Sequence, residues 1–298
     1  MLIATVLFGC GEKDSDCANA PDVDLESTTV KIERLDRELF GLQSPKEIER
    51  FLDRYPGMTQ EFLGSGLYPS DSVLALELYK RIKNPYLDTL YANTQAYFGD
   101  LDFLRNEFGQ AFTYLKYYYP NFQAPKIQTM VTGFGSSEMY VSDSLIVIGL
   151  DFYLGPQGKY RPPDIPGYIL ERYQQEYIVP ATMLLFADDH IKEDRKDNTM
   201  LADMIYYGKK YEFAKQMMPC AADSLIVWYS GDKLVNVEEN RDLLWFHFLN
   251  NELLFETNHL EKQKYMDERP FIPEIGDQCP GRIGAWIGWD ILRSYKVE

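Results

Sequence analysis

The sequence predicts an α+β fold, a predominantly helical single domain with a small central β-sheet. Segments with apolar residues at three- and four-residue spacing dominate both halves of the chain. Between them, from Lys126, "KIQTMVTG" and "EMYVSDSLIVIGLDFYLG" are rich in Val, Ile, Tyr and Thr, the composition of strands. No internal repeat and no Pro/Gly/Ser linker interrupts this body, so residues 29–298 read as one domain.

The elements follow in order. "VKIERLDRELF" opens with Val30 and Ile32 alternating with polar neighbours, a strand signal. "SPKEIERFLDRYP" offers Ser44 as N-cap, Pro45 at the first helical position, and Ile48, Phe51 and Leu52 as an apolar stripe. "PSDSVLALELYKRI" and "NPYLDTLYANTQAYF" read as helices. "LDFLRNEFGQAFTYLKYYYP" places Leu104, Phe108, Phe112 and Leu115 at helical spacing before Pro120 ends it. The strand-rich stretch reads as a meander or hairpin pair with "GFGSS" (Gly133 to Ser137) as a turn. Helices return in "YILERYQQEYI", "PATMLLFADDHI" and "NTMLADMIYYGKKYEFAKQMMP". "DSLIVWYS" reads as a short strand or an extended stretch, "DKLVNVEENRDLLWFHFLNNELLF" as one long helix, and Pro280 to Tyr295 as the last helix.

The chain has 298 residues, 45% hydrophobic and 26% charged, which supports a sizeable core. Its net charge of −16 argues against nucleic acid, which needs a basic surface. No apolar run reaches the ~18 residues of a transmembrane helix.

Residues 1–9 read as the end of a signal peptide, followed by Cys10. Leu7 three places before the cysteine and Gly9 directly before it form a lipobox pattern, which makes Cys10 the expected lipidation site. The pattern lacks a Lys or Arg ahead of the apolar run, as a start codon placed too late would produce. Residues 10–28 are polar and acidic and read as a flexible tether. With Cys10 acylated, Cys17, Cys220 and Cys279 remain, and Cys220–Cys279 is the pair inside the folded body.

The segment "CPGRIGAWIGWDILRSY" is the most patterned in the chain. On a helical wheel of ~100° per residue, Gly281, Gly284 and Gly288 share one side with Ile291. Arg282, Trp286, Trp289 and Arg293 share nearly the opposite side. Glycine costs about 1 kcal/mol in a helix interior, so the glycine side needs close packing against a neighbouring helix. The arginine–tryptophan side allows guanidinium to stack on indole. It reads either as a core face or as an exposed partner-binding face, because Trp and Arg dominate interface hot spots. Arg282, in the first turn, opposes the helix dipole and calls for a fixed carboxylate partner.

"PGRIGAWIGWDILRSY", "DSLIVIGLDFYLG", "YIVPATM", "MLADMIYYGKKYEFAKQMMP" and "VKIERLDRELF", with the lipobox Cys10, resemble in sequence and order the gliding-motility lipoprotein family GldB of Bacteroidota. The resemblance implies an envelope lipoprotein, anchored through its acylated cysteine, at the outer membrane. Its implied partners are other envelope proteins of gliding or the associated secretion machinery. The family is distantly similar to HExxH zinc peptidases, which implies a zincin-like scaffold. This chain has no HExxH, and only His190, His247 and His259, without ligand spacing. Asp188, Asp189 and His190 read as a solvated helix end before they read as metal ligands. No GxSxG elbow and no phosphate-binding loop is found. The expectation is a non-catalytic protein with no cofactor and no metal, acting through protein–protein contacts. The alternatives are a diverged zincin-like peptidase or hydrolase, and a peptide- or glycan-binding envelope lipoprotein.

Overall fold

The computed structural model describes Cys17, residues 20–24, residues 28–194 and residues 196–297. The signal segment and Cys10 lie outside the described residues. The elements run β1 (Ile32–Glu33), α1 (Leu35–Gly41), α2 (Pro45–Arg54), α3 (Asp71–Ile82), α4 (Pro85–Phe98), α5 (Asp102–Tyr118), β2 (Lys126–Met130), β3 (Met139–Val141) and β4 (Leu145–Gly149). After these come α6 (Gly167–Leu170), α7 (Ile178–His190), α8 (Met200–Met217), α9 (Asp223–Val227), α10 (Gly231–Glu239), α11 (Arg241–Asn250), α12 (His259–Met266) and α13 (Ile283–Val297). The fold is α+β, with 59% helix and one four-stranded mixed sheet.

Local chemistry sets several helix starts. Ser44 Oγ accepts from Glu47 N at 3.3 Å while Glu47 Oε2 accepts from Gln43 N at 2.7 Å, so two orphan amides at the start of α2 are satisfied by one Ser/Glu pair. Asn84 caps α4 ahead of Pro85, and Thr199 caps α8 through Ala202 N at 3.2 Å. Ile48, Phe51 and Leu52 of α2 are buried, as their spacing requires.

The sheet corrects the expected meander. Its order is β1-β2-β4-β3, with β1, β2 and β4 parallel and β3 antiparallel to β4. Among the described strands only β3 and β4 form a hairpin. The reason lies in the β2–β3 connection: Gly133 and Phe134 adopt left-handed φ of 69° and 61°. They are held by the buried Asp151, whose Oδ2 accepts from Thr132 N at 3.2 Å and Phe134 N at 2.9 Å. This connection carries the chain past β4 to the outer edge, and the apolar run Leu145–Gly149 takes the central place.

Asp36 joins the β1–α1 corner to the sheet and to α4. It is fully buried, paired to Arg34 at 2.8 Å, and accepts from Thr129 Oγ1 at 2.5 Å and Gln95 Nε2 at 2.7 Å.

Other expectations are revised. "DSLIVWYS" forms the short helix α9, since a brief apolar run does not separate strand from helix. The long helix breaks at Asn240, whose Nδ2 donates to Asn236 O at 2.8 Å, giving α10 and α11. "YILERYQQEYI" holds one helical turn, α6, and a later 3-10 turn. α12 was not expected. The disulfide joins Cys17 to Cys220, with Cα atoms 4.5 Å apart, and Cys279 is a buried free thiol. Burial pushes that thiol up to about 12. Cys17 thus ties the N-terminal segment to the end of α8, and Ala20 and Val23 pack on the core.

Candidate functional site

The patterned C-terminal segment organises the largest helix–helix contact and one wall of a cleft. Its helix begins at Ile283, not at Pro280, because Arg282 takes a left-handed φ of 62°. Gly281 therefore precedes the helix. The three glycines each admit a different neighbour. At Gly288 an added Cβ would collide with the main-chain carbonyl of Met204 in α8, and Gly208 of α8 returns the contact, its Cβ position lying 2.5 Å from Gly288 O. At Gly284 the Met266 Sδ lies 2.5 Å from the Cβ position. At Gly281 the main chain of Arg269 fills the side-chain space, with its carbonyl oxygen 2.6 Å from the Cβ position. Gly208 is the partner that spacing in one segment did not reveal.

The four arginines and tryptophans of the same segment do not share one exposed surface. Trp289 is buried and donates from Nε1 to Glu212 Oε2 at 2.8 Å. Arg293 stacks on Trp289 at 3.6 Å and donates to Asp223 Oδ2 at 2.6 Å. Burial would raise the Asp223 carboxyl, but Arg293 and Lys215 together hold it below its ordinary value. Trp286 is also buried, with Arg241 of α11 at 5.9 Å from its ring. These three residues hold α13 in place.

Arg282 points elsewhere, into a cleft of about 500 Å³ between β3, α7, α8 and the segment before α13. Gly281 makes this geometry accessible: the close approach of residues 267–269 brings Glu268 to Arg282, and Arg282 N donates to Asp267 O at 3.1 Å. Glu268 Oε1 accepts from Arg282 Nη1 at 3.1 Å and from Arg172 Nη1. Arg282 Nη2 also donates to Tyr211 Oη at 2.6 Å. Burial works against the Arg282 charge, but Tyr211 and Glu268 offset it and hold its pKa above the ordinary value. Both guanidiniums lie over the Trp228 ring, Arg172 at 4.3 Å and Arg282 at 4.7 Å. Trp228 itself has a left-handed φ of 62°. Such backbone costs on the order of 1–3 kcal/mol for a non-glycine residue. Two strained residues thus present facing side chains in one cleft.

Tyr153, Tyr207 and Tyr211 complete the aromatic lining. Burial raises all three phenols, and they stay protonated donors at neutral pH. Tyr173 donates to Glu138 Oε2 at 2.5 Å behind the cleft; its pKa is raised by burial and by that bond. The Trp228 indole nitrogen is buried without a hydrogen-bond partner among the described residues. Arg172, Trp228 and Glu268 are members that sequence reading missed. Their positions are scattered, and only the fold assembles them.

Asp188, Asp189 and His190 do not converge. Asp188 Oδ1 accepts from Tyr206 Oη at 2.6 Å and pairs with Lys210 at 2.7 Å. Asp189 is exposed. His190 Nδ1 is bonded to Phe186 O at 2.8 Å, and its ring packs on Tyr119 and Phe213. Among the described residues no three His, Cys, Asp or Glu side chains are grouped to hold a metal. Among the described residues the cleft lining includes no His, Ser or Cys.

Fold and site together define a mostly helical α+β domain with an arginine–tryptophan cleft. A family model described as "Gliding motility protein GldB" matches residues 16–298, and the chain belongs to that family, a gliding-motility-associated lipoprotein family of the cell envelope. No curated protein and no solved structure matches the chain. Among the described residues no helix is long and apolar enough to cross a membrane.

Proposed function

We propose that this protein is a non-catalytic, lipid-anchored component of the gliding and associated secretion machinery, and that it seats a segment of another envelope protein in the arginine–tryptophan cleft. The observation that carries this reading is the cleft itself. Trp, Tyr and Arg are the side chains that dominate protein–protein hot spots, and here they line one concave surface. Their geometry is preset by shared bonds to Glu268 and by two left-handed residues, which lowers the ordering cost of binding. Anchoring through Cys10 at the outer membrane, with multiple acyl chains, would hold the domain at the envelope without a spanning helix.

Leu185 tests the reading, because it lies on the cleft rim and is 46% exposed. In a gliding strain deleted for its own family member and complemented with this chain, Leu185→Arg should abolish colony spreading while protein level and melting temperature hold. Full spreading by the Leu185→Arg protein would sink the proposal.

A further inference from the structure

Beyond the cleft, a second cavity of about 390 Å³ opens at the carboxyl end of β2, between the α3–α4 turn and the β2–β3 loop. Its size falls within the range of small-molecule sites. Three features define its chemistry. First, Arg81 lines the cavity and makes no ion pair or side-chain hydrogen bond with any described residue, in a chain of net charge −16. Second, the loop is shaped around that guanidinium. An added Cβ at Gly135 would collide with Arg81 Nη1, and the Gly133 Cβ position lies 3.1 Å from Leu87 Cδ1. The left-handed Phe134 beside them is fixed by the amide bonds to buried Asp151, and Thr132 Oγ1 bonds Ser136 Oγ at 2.9 Å. The wall is therefore built before any ligand arrives. Third, Asn84, Tyr86 and Leu87 bring the positive end of the 14-residue helix α4 to the same cavity.

The floor is apolar, formed by Leu87, Leu90 and Phe134. One guanidinium above such a floor, in a strongly acidic protein, fits a single negative charge on an apolar body and disfavours a multiply charged phosphate. A guanidinium also matches the planar two-oxygen geometry of a carboxylate. We propose that this cavity binds a monocarboxylate with a compact apolar body. Arg81 takes the carboxylate; Leu87, Leu90 and Phe134 take the body. A free organic acid and the apolar carboxyl terminus of a peptide share that chemistry.

The test uses the purified full chain and fluorine NMR of fluorophenylpropionate, with its carboxamide as the neutral counterpart. The acid should bind saturably and the amide at least about tenfold more weakly, the difference a charged hydrogen bond confers. Arg81→Gln should weaken the acid by about tenfold and leave the melting temperature unchanged, since Arg81 makes no ion pair with any described residue. A tetrapeptide ending in Leu-Phe assigns the source. Displacement of the probe by its free-carboxylate form, and not by its amide form, supports a peptide terminus; no displacement supports a free acid. Absence of saturable binding, equal binding of acid and amide, unchanged binding to Arg81→Gln, or displacement by inorganic phosphate at equal concentration would each overturn the proposal.

Discussion

Gly288→Ala isolates the contact on which the C-terminal third depends. In an exposed helix this change stabilises by about 1 kcal/mol, because alanine costs less to order than glycine. Here the added methyl would lie 3.0 Å from Met204 Cα and closer still to its carbonyl group. Carbon atoms settle about 3.5–4.0 Å apart, so with the Met204 carbonyl carbon at 2.3 Å the two helices α8 and α13 would have to separate by more than about 1 Å. Main chain, unlike a side-chain tip, has no rotamer by which to yield. Separation would open the Gly208–Gly288 contact and loosen Trp289 against Tyr211, whose rings stand 5.7 Å apart. Overpacking of this kind costs about 1–3 kcal/mol, which exceeds the propensity gain. Thermal unfolding reads it: each kcal/mol moves the midpoint by about 2–4 °C in chains somewhat smaller than this one. Two controls bracket the value. Gly284→Ala first meets Met266 Sδ, the end of a flexible side chain, and should cost less. Gly231→Ala meets nothing within 4 Å and should cost nothing. A Gly288→Ala midpoint at or above that of Gly231→Ala would refute the packing argument.

Further outcomes are expected elsewhere. Cys220→Ser should lower stability by about 2–5 kcal/mol, as loss of a native disulfide does, and should open residues 20–24 to limited proteolysis; an uncut segment would contradict the pinning role of Cys17. Burial raises the Asp151 carboxyl from 3.8 to about 6. Between those values the folded protein holds the proton more tightly than the unfolded chain, so this group's contribution is fully present below 3.8 and is lost as pH rises towards 6, by about 3 kcal/mol. The melting temperature of Asp151→Asn relative to the parent should therefore climb between about pH 4 and pH 7, and a flat difference would contradict the assignment. Glu268→Gln should destabilise by about 1.5–3 kcal/mol, because Arg172 and Arg282 lose their shared charged acceptor. A variant as stable as the parent would show that the cleft does not rely on that bridge.

Much of the framework was legible because it is local. Ser44 and Pro45 announce the start of α2, the one as a cap and the other by its fixed backbone, and Ile48, Phe51 and Leu52 announce its buried face; the caps Asn84 and Thr199 became evident only in the structure. Gly284 and Gly288 announced a close helix contact, though not that Gly208 would answer it. The arginine–tryptophan stacking was also legible, at Arg293 on Trp289, and so was the need of Arg282 for a carboxylate. What sequence did not convey depends on distant partners. The parallel pairing of β2 and β4 rests on a loop held by Asp151, and the Cys17–Cys220 bond on where an N-terminal segment lies against α8. Trp228 sits in an apolar run that reads as strand. Its left-handed turn, and the meeting of Arg172 with Arg282 across it, exist only once α9 and the 267–269 segment are placed.

The central claim is that the arginine–tryptophan cleft seats another envelope protein. A photo-crosslinking phenylalanine analogue at Leu185 of the full chain, in gliding cells, tests it most directly, with the same group at Tyr295 (79% exposed) as control. One discrete crosslinked envelope protein is expected from position 185, absent from position 295 and lost when Lys210 on the cleft wall is changed to Glu. Identical products from both positions, or none from position 185 in cells that glide normally, would contradict it.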